Sequence, residues 1–150
     1  MTIEANTRIL HAMDKAAHLS MVQGVINRMG GHSGIMKASA VGLVAGLAAL
    51  ASAVGPWPLF VAFIPVAVTC WMDAFYLRLD RLFRHLYDGV RKDDPRVAED
   101  GPYSMSVQPW MTEANVRWRS VFGSWSVWPF YTVLAALAVG GAIVLLLRRG

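Results

Sequence analysis

The chain of 150 residues is 55% hydrophobic and only 16% charged, with a net charge of +4 and a mean hydropathy of +0.41. Soluble domains carry about a quarter charged residues, and so short a chain has too little interior to hide this much apolar surface, so composition points to a membrane. The basic residues are scattered and accompany no nucleic-acid motif, which speaks against a nucleic-acid partner; they suit loops lying beside anionic lipid.

The N-terminal stretch "NTRILHAMDKAAHLSMVQGVINRM" places Leu10, Met13, Ala17, Met21, Val25 and Met29 three or four apart, with Arg8, Asp14, Lys15 and Arg28 elsewhere. This spacing predicts an amphipathic helix from Asn6 to Met29, capped by Asn6 or Thr7. Its Met-rich stripe packs on the helix that follows the second span, on a neighbouring subunit, or on the membrane surface. His11, Asp14 and His18 share a helical face in metal-compatible spacing, but no fourth ligand accompanies them and no metal site is assigned. In "GGHSG", Gly30, Gly31 and Gly34 are expected to break the helix and make a flexible joint, completing a cytoplasmic segment 1–36. That segment holds no apolar core of a cleavable signal, so the first span is read as an anchor.

Ala38 to Gly55, Trp57 to Met72 and Ser126 to Leu147 contain no charged side chain. A bilayer core needs about 20 helical residues, with roughly 17 to 25 tolerated. The alternative, buried helices of a soluble bundle, conflicts with the absence of a polar stripe on any of the three. The first two runs form a transmembrane hairpin over 37–76 (38–55 and 57–76), joined by "GPWP", whose prolines stop one helix and start the next. Pro65 should kink the second span. Asp73, near the hydrocarbon edge, is either an ion or proton relay or an acid paired with Arg78, Lys37 or a neighbour's arginine; its depth favours pairing. Cys70 is alone inside a span and says nothing about redox compartment.

Past the second span, Leu79, Leu82, Phe83, Leu86 and Val90 continue a helical stripe, while Asp80, Arg84 and Asp88 are spaced for i,i+4 pairs. About 15 residues of this extension would project roughly 20 Å from the membrane. Segment 77–125 ends in the loop "RKDDPRVAEDGPYSMSVQPW", in which Pro95, Pro102 and Pro109 prevent long helix. The third span, 126–147, begins with an interfacial belt of Trp125, Trp128 and Tyr131; the alternative is a helix that lies along the surface or re-enters. Basic residues before the first span and after the second put the N-terminus and 77–125 in the cytoplasm, the GPWP turn outside, and Arg148 and Arg149 outside after a third crossing.

No nucleophile–base pair, phosphate loop or Cys/His cluster is present, so no catalytic, cofactor or metal residues are assigned and the protein is not read as an enzyme. Ala38, Gly42, Gly46, Ala49 and Ala53 form a small-residue ridge that includes the GxxxG "GLVAG", with a shorter ridge at Ala136 and Gly140, usable within or between chains. Three helices are too few to enclose a passage, so oligomerisation is the central expectation.

"MVQGVINRM" and "DAFYLRLDRLFRHLYDGVR" together resemble the RipA-like octameric membrane proteins, a family of small bacterial inner-membrane proteins. The resemblance spans roughly residues 20–92. It is carried by Gln23, Asn27, Arg28, Asp73, Tyr76, Arg78, Arg81, Leu82, Arg84, Leu86, Tyr87 and Arg91, and the chain departs from the pattern at GGHSG. It implies a ring of identical subunits, eight in number, in the bacterial inner membrane, with links to stress or phage defence and no established enzymatic activity.

Taken together, the expected architecture is an all-α integral membrane protein. It has an N-terminal amphipathic cytoplasmic helix, a transmembrane hairpin with a long cytoplasmic helical extension, and a third C-terminal span, assembled as a homo-oligomeric ring. Gly42, Gly46, Asp73, Arg78, Asp80, Arg81, Arg84 and Asp88 are the candidate oligomer interface, with Arg and Asp pairing between adjacent copies. Gln23, Asn27 and Arg28 are candidate gating or partner contacts for a cytoplasmic protein trigger, and membrane lipid is the other partner. The function is then a ring-shaped pore or membrane-disrupting effector; the alternative is a non-conducting scaffold that presents its cytoplasmic helices to a soluble partner. A transporter subunit fits less well, because Ser39, Ser52 and Thr69 are the only polar groups in the first two spans, and any lumen would be apolar.

Overall fold

The computed structural model describes residues 2–98, 101 and 103–149. Among these the chain is all-helical: α1 (Thr2–Val54), α2 (Trp57–Val61), α3 (Phe63–Lys92), α4 (Pro95–Ala98), α5 (Trp118–Phe122) and α6 (Trp128–Arg149), with 3-10 turns at Gln108–Trp110 and Ala114–Val116. Three helices are long and apolar enough to cross a membrane, and in the most apolar stretch of each no more than a third of the residues are buried. A soluble bundle would bury those stretches, so this is a membrane protein.

The frame is an antiparallel hairpin of α1 and α3. Gly55 closes α1 at φ 113°, a left-handed backbone that glycine adopts without strain, and its N–H donates to the Ala51 carbonyl at 3.0 Å. Pro56 then leads into α2 and Pro58 sits in its first turn, so the GPWP connection is the tight turn that its prolines predict. Pro65 interrupts the second span as expected: it has no N–H for the Val61 carbonyl, and the helix breaks at Ala62, between α2 and α3. α3 ends on Asp93, held at φ 55°. Lys37 faces Asp73, His32 faces Tyr76 and Lys15 faces Asp93, so a single register holds from the turn to the far end of the hairpin.

Two other elements share the work of covering this frame. Along the apolar half, α6 packs on α3 and α2. Its start joins Tyr131 and Leu134 to Ala40, Val44, Val66 and Ala74, and its far end joins Ala142 to Ala51 and Leu59 beside the hairpin turn. α6 therefore runs the full length of the apolar half. Along the charged half, here called the stalk, Val22, Ile26, Leu82, Leu86 and Val90 are covered by Trp110 and Val116 from the connecting segment.

The structure corrects three expectations. GGHSG is no joint, because α1 is helical from Thr2 to Val54 without a break. A glycine costs a helix only about 1 kcal/mol and, unlike proline, leaves the backbone hydrogen bonds intact. Here His32 stacks on Tyr76 at 4.8 Å and Ser33 bonds Asp73, which fixes this stretch against α3. The helix also starts before Asn6 and Thr7, so neither caps it at the predicted boundary. Last, the stripe of Leu10, Met13, Ala17 and Met21 is not the buried face: Leu10, Met13 and Met21 are 56, 63 and 45% exposed, and His18, Val22 and Ile26 point inward instead. The hairpin register chose that face. Of the loop prolines, Pro102 lies outside the described residues.

Gly89 is the one helical glycine of α3, and a Cβ there would lie 2.9 Å from Trp110 Cζ2 and 3.0 Å from Val97 Cγ2. Gly89→Ala should therefore cost about 1–3 kcal/mol by overpacking, read as a lower melting temperature of the detergent-solubilised protein. Gly30 has nothing within 4 Å of such a Cβ. Gly30→Ala should raise the melting temperature, by up to about 1 kcal/mol of helix propensity; no gain would mean that this stretch is not helical in solution.

Candidate functional site at the junction of span and stalk

Where the uncharged runs meet the stalk, α1 and α3 bring four polar groups together. Asp73 is fully buried. Lys37 Nζ donates to Asp73 Oδ2 at 2.6 Å and to Ser33 Oγ at 2.9 Å, and the Ser33 hydroxyl donates to Asp73 Oδ1. Ser126, just before α6, lies 3.5 Å from Lys37 Nζ. The Lys37 ammonium also lies 5.9 Å from the Phe130 ring centre. Both carboxylate oxygens thus have partners, and among the described residues no buried side-chain polar atom is left without one. The cluster is closed on itself: Ser33 and Lys37 each donate to the Asp73 carboxylate, and Lys37 also donates to Ser33. Its chemistry is that of a lock. The acid at the hydrocarbon edge is satisfied by Lys37 of the facing helix.

An aromatic layer surrounds this lock. Trp71 stacks on Trp118 at 5.1 Å, Phe122 lies 5.9 Å from each of them, and Tyr131 O–H donates to the Thr69 carbonyl at 3.2 Å. Trp125 and Trp128 are 84 and 49% exposed on the same side, and Trp57 is 57% exposed beside the hairpin turn. Such amphipathic rings suit the two boundaries of a bilayer.

The expected interface residues divide into two groups. Gly42 and Gly46 are exposed on α1, and a methyl group added at either would meet nothing within 4 Å, so the GxxxG ridge takes no part in packing within the chain; Ala40, Val44 and Ala51 do that instead. The charged members find partners inside the subunit. Asp73 is locked to Lys37; Arg78 Nε donates to the Val116 carbonyl at 2.9 Å and its guanidinium lies 5.0 Å from the Trp118 ring centre. Arg81 donates to the Asn115 carbonyl, Asp80 pairs with Arg84 at 2.7 Å, and Asp88 with Arg91 at 3.3 Å. Asp73, Arg78, Asp80 and Arg81 thus each have a partner within their own chain. Arg84 and Asp88 stay exposed. Gln23 donates to Asn27 at 3.1 Å on the open surface, and Arg28 is exposed near them.

His11, Asp14 and His18 border a cleft of about 820 Å³ between α1, the end of α3 and the segment after α4. They diverge within it. His18 is buried, with Nε2 2.9 Å from the Ser104 carbonyl; Asp14 accepts from Tyr103 O–H at 2.6 Å; and Lys15 between them pairs with Asp93 at 2.7 Å. Among the described residues no group of three or more His, Cys, Asp or Glu is placed to hold a metal ion. Ser33, Asn115 and Ser104 carry no local signal of their role as partners, because each bond joins segments far apart in the chain.

Lys37→Met should strand the Asp73 carboxylate and cost about 3–5 kcal/mol, whereas Lys37→Met with Asp73→Leu should recover most of that loss. Thermal unfolding of both variants in the same detergent checks this, and equal losses would show that the pair is not coupled. The hydrogen bond to Asp14 pushes the Tyr103 phenol above its ordinary range, so its contribution is present below the ordinary tyrosine value and is lost as pH rises through the raised one. Limited proteolysis of the 93–107 segment should accelerate at strongly alkaline pH, and Tyr103→Phe should already be fast at neutral pH. Compared with family models, with curated proteins and with solved structures, the chain finds no match in any of the three.

Proposed function

We propose that the protein is a self-assembling membrane scaffold: copies join along α1 into a ring in a bacterial inner membrane, and their stalks form a collar on the cytoplasmic side. One observation carries this reading, the outward face of α1. On it Ala17, Gly24, Gly31, Ala38, Gly42, Gly46, Ala49 and Ala53 follow one another along the helix, all exposed. The exposed Leu10, Met13 and Met21 extend the same face into the stalk. The outward faces of α3 and α6 carry more bulk, with Ile64 and Val68 on α3 and Val133, Leu137 and Leu147 on α6, and have only short runs of small residues such as Ala136 and Gly140. Bulky apolar side chains suit lipid; a glycine and alanine ridge suits another helix, because backbones can approach closely. In the stalk, where water replaces lipid, the exposed methionines and leucine need a cover as well.

The size of this face is sufficient. Fifty-three residues at 1.5 Å rise give a helix about 80 Å long, and a contact strip about 10 Å wide would bury roughly 800 Å² per copy, a standard interface. The cytoplasmic side follows from charge: the stalk is rich in arginine while the hairpin turn has no charge. Eight copies and a role in stress or phage defence are what the resemblance to the RipA-like family adds to the proposal.

A pore or membrane-disrupting effector is the second reading, and it draws on the same ridge, whose small side chains leave room for an apolar lumen closed by dewetting. The scaffold is preferred because Ser52 and Thr69 direct their hydroxyls to carbonyls of their own helices, leaving little to line a wet path. Native mass spectrometry of the detergent-extracted protein should give a particle of several copies. Gly42→Leu with Gly46→Leu should shift it toward single subunits with the helical circular-dichroism signal unchanged. A wild-type particle of one subunit sinks the proposal. Dye release from liposomes that contain the intact assembly decides between the two readings, tight vesicles supporting the scaffold.

A further inference from the structure

An apolar groove of about 460 Å³ lies between α3 and α6, bordered by Phe63, Val66, Cys70, Phe122, Tyr131 and Ala135 among others. Its direction is fixed by the chain. Phe63 and Ala135 mark the deep end, whereas Cys70, Val127 and Phe122 mark the end at the aromatic layer. From Phe63 to Cys70 is about 10 Å of helix, the reach of the upper half of an acyl chain. Neither α1 nor the connecting segment covers it along that length.

Two arginines stand close to Phe122 in the chain, on the short helix that borders one end of the groove, and among the described residues neither is in an ion pair. Phe122 belongs to α5, and Arg119, three residues earlier on the same short helix, is its neighbour on that face. Arg117 stands at the start of the same helix. Both guanidiniums are exposed, and among the described residues neither has an ion-pair partner. This contrasts with Arg78 and Arg81, which are tied to backbone carbonyls. From Ala114 to the end of the sequence there is no Asp or Glu. The exposed Trp125 and Trp128 stand at the same level, where lipid headgroups meet the apolar layer.

The geometry points to a binding site for one anionic glycerophospholipid, with its phosphate against Arg119 and Arg117 and one acyl chain in the groove between α3 and α6. Charge complementarity selects the headgroup and the dry lining selects the chain. The site rests on α3 and α6 lying in a bilayer and is independent of how many copies assemble. Its position also gives it a consequence: a lipid held there bridges α3, α5 and α6 and stiffens the junction around the Lys37–Asp73 lock.

The full-length protein in mild detergent, titrated with phosphatidylglycerol or phosphatidylcholine and read by native mass spectrometry and melting temperature, tests this. Phosphatidylglycerol should be retained one per subunit and raise the melting temperature at concentrations where phosphatidylcholine does not; glycerol 3-phosphate, the headgroup without chains, should do neither. Arg117→Gln with Arg119→Gln should weaken phosphatidylglycerol retention roughly tenfold and abolish the preference over phosphatidylcholine. Ala135→Phe, which fills the groove and leaves both arginines, should reduce retention of either lipid; Ala67→Leu serves if that variant fails to fold. Equal retention of the two lipids by the wild type, or a preference that survives loss of both arginines, overturns the site. A groove-filling variant that changes the number of copies per particle and leaves lipid retention intact also overturns it, and assigns the groove to a second copy.

Discussion

The buried pair of Lys37 and Asp73 is the constraint on which the rest of the molecule depends. A carboxylate at the edge of an apolar layer is tolerated only with its charge answered, and here the lysine and Ser33 of the facing helix answer it. A slip of one turn between α1 and α3 would strand both ions. The register is therefore set at this one level and transmitted along two stiff helices in both directions. It then decides which side chains of α1 turn inward: Ala40, Val44 and Ala51 on one side of the lock, Val22 and Ile26 on the other. The outward face of α1 is what remains.

The same hairpin lives in two solvents, and its covering differs accordingly. In the apolar half the third element is α6, a continuous helix, because a membrane allows no unsatisfied backbone. In the stalk the third element is irregular, from Trp110 through Val116, and its carbonyls are satisfied by Arg78 and Arg81 of α3. Arginine suits that task, since its planar fork can donate to a backbone oxygen while, in Arg78, its face lies over the Trp118 ring. Two of the charges that look like a free collar in the sequence, Arg78 and Arg81, are thus engaged in holding down the connecting segment.

What is left on the surface is sorted by size and charge. α3 and α6 show mainly large aliphatic and aromatic groups, one strip of α1 is rich in alanine and glycine while Val41, Leu43 and Leu50 are exposed beside it, and α5 shows Arg119 next to Trp118. In the proposed reading these compositions suit different neighbours: acyl chains, another copy of α1, and lipid phosphates. The polar groups Ser33, Lys37 and Asp73 at the junction are engaged in mutual bonds.

The sequence alone determined the number and place of the apolar spans, the GPWP turn, the interruption by Pro65 and the pairing need of Asp73. Each of these follows from local rules: the length of an uncharged run, the missing N–H of proline, the cost of an unpaired ion. Only the tertiary structure decided that GGHSG stays helical, that His18, Val22 and Ile26 rather than Leu10, Met13 and Met21 face inward, that the stalk arginines serve the chain's own carbonyls, and that a groove opens between α3 and α6. Those outcomes depend on which residues meet across tens of positions, and glycine propensity or a methionine stripe is too weak, at about 1 kcal/mol or less per residue, to outweigh the register that one buried ion pair imposes.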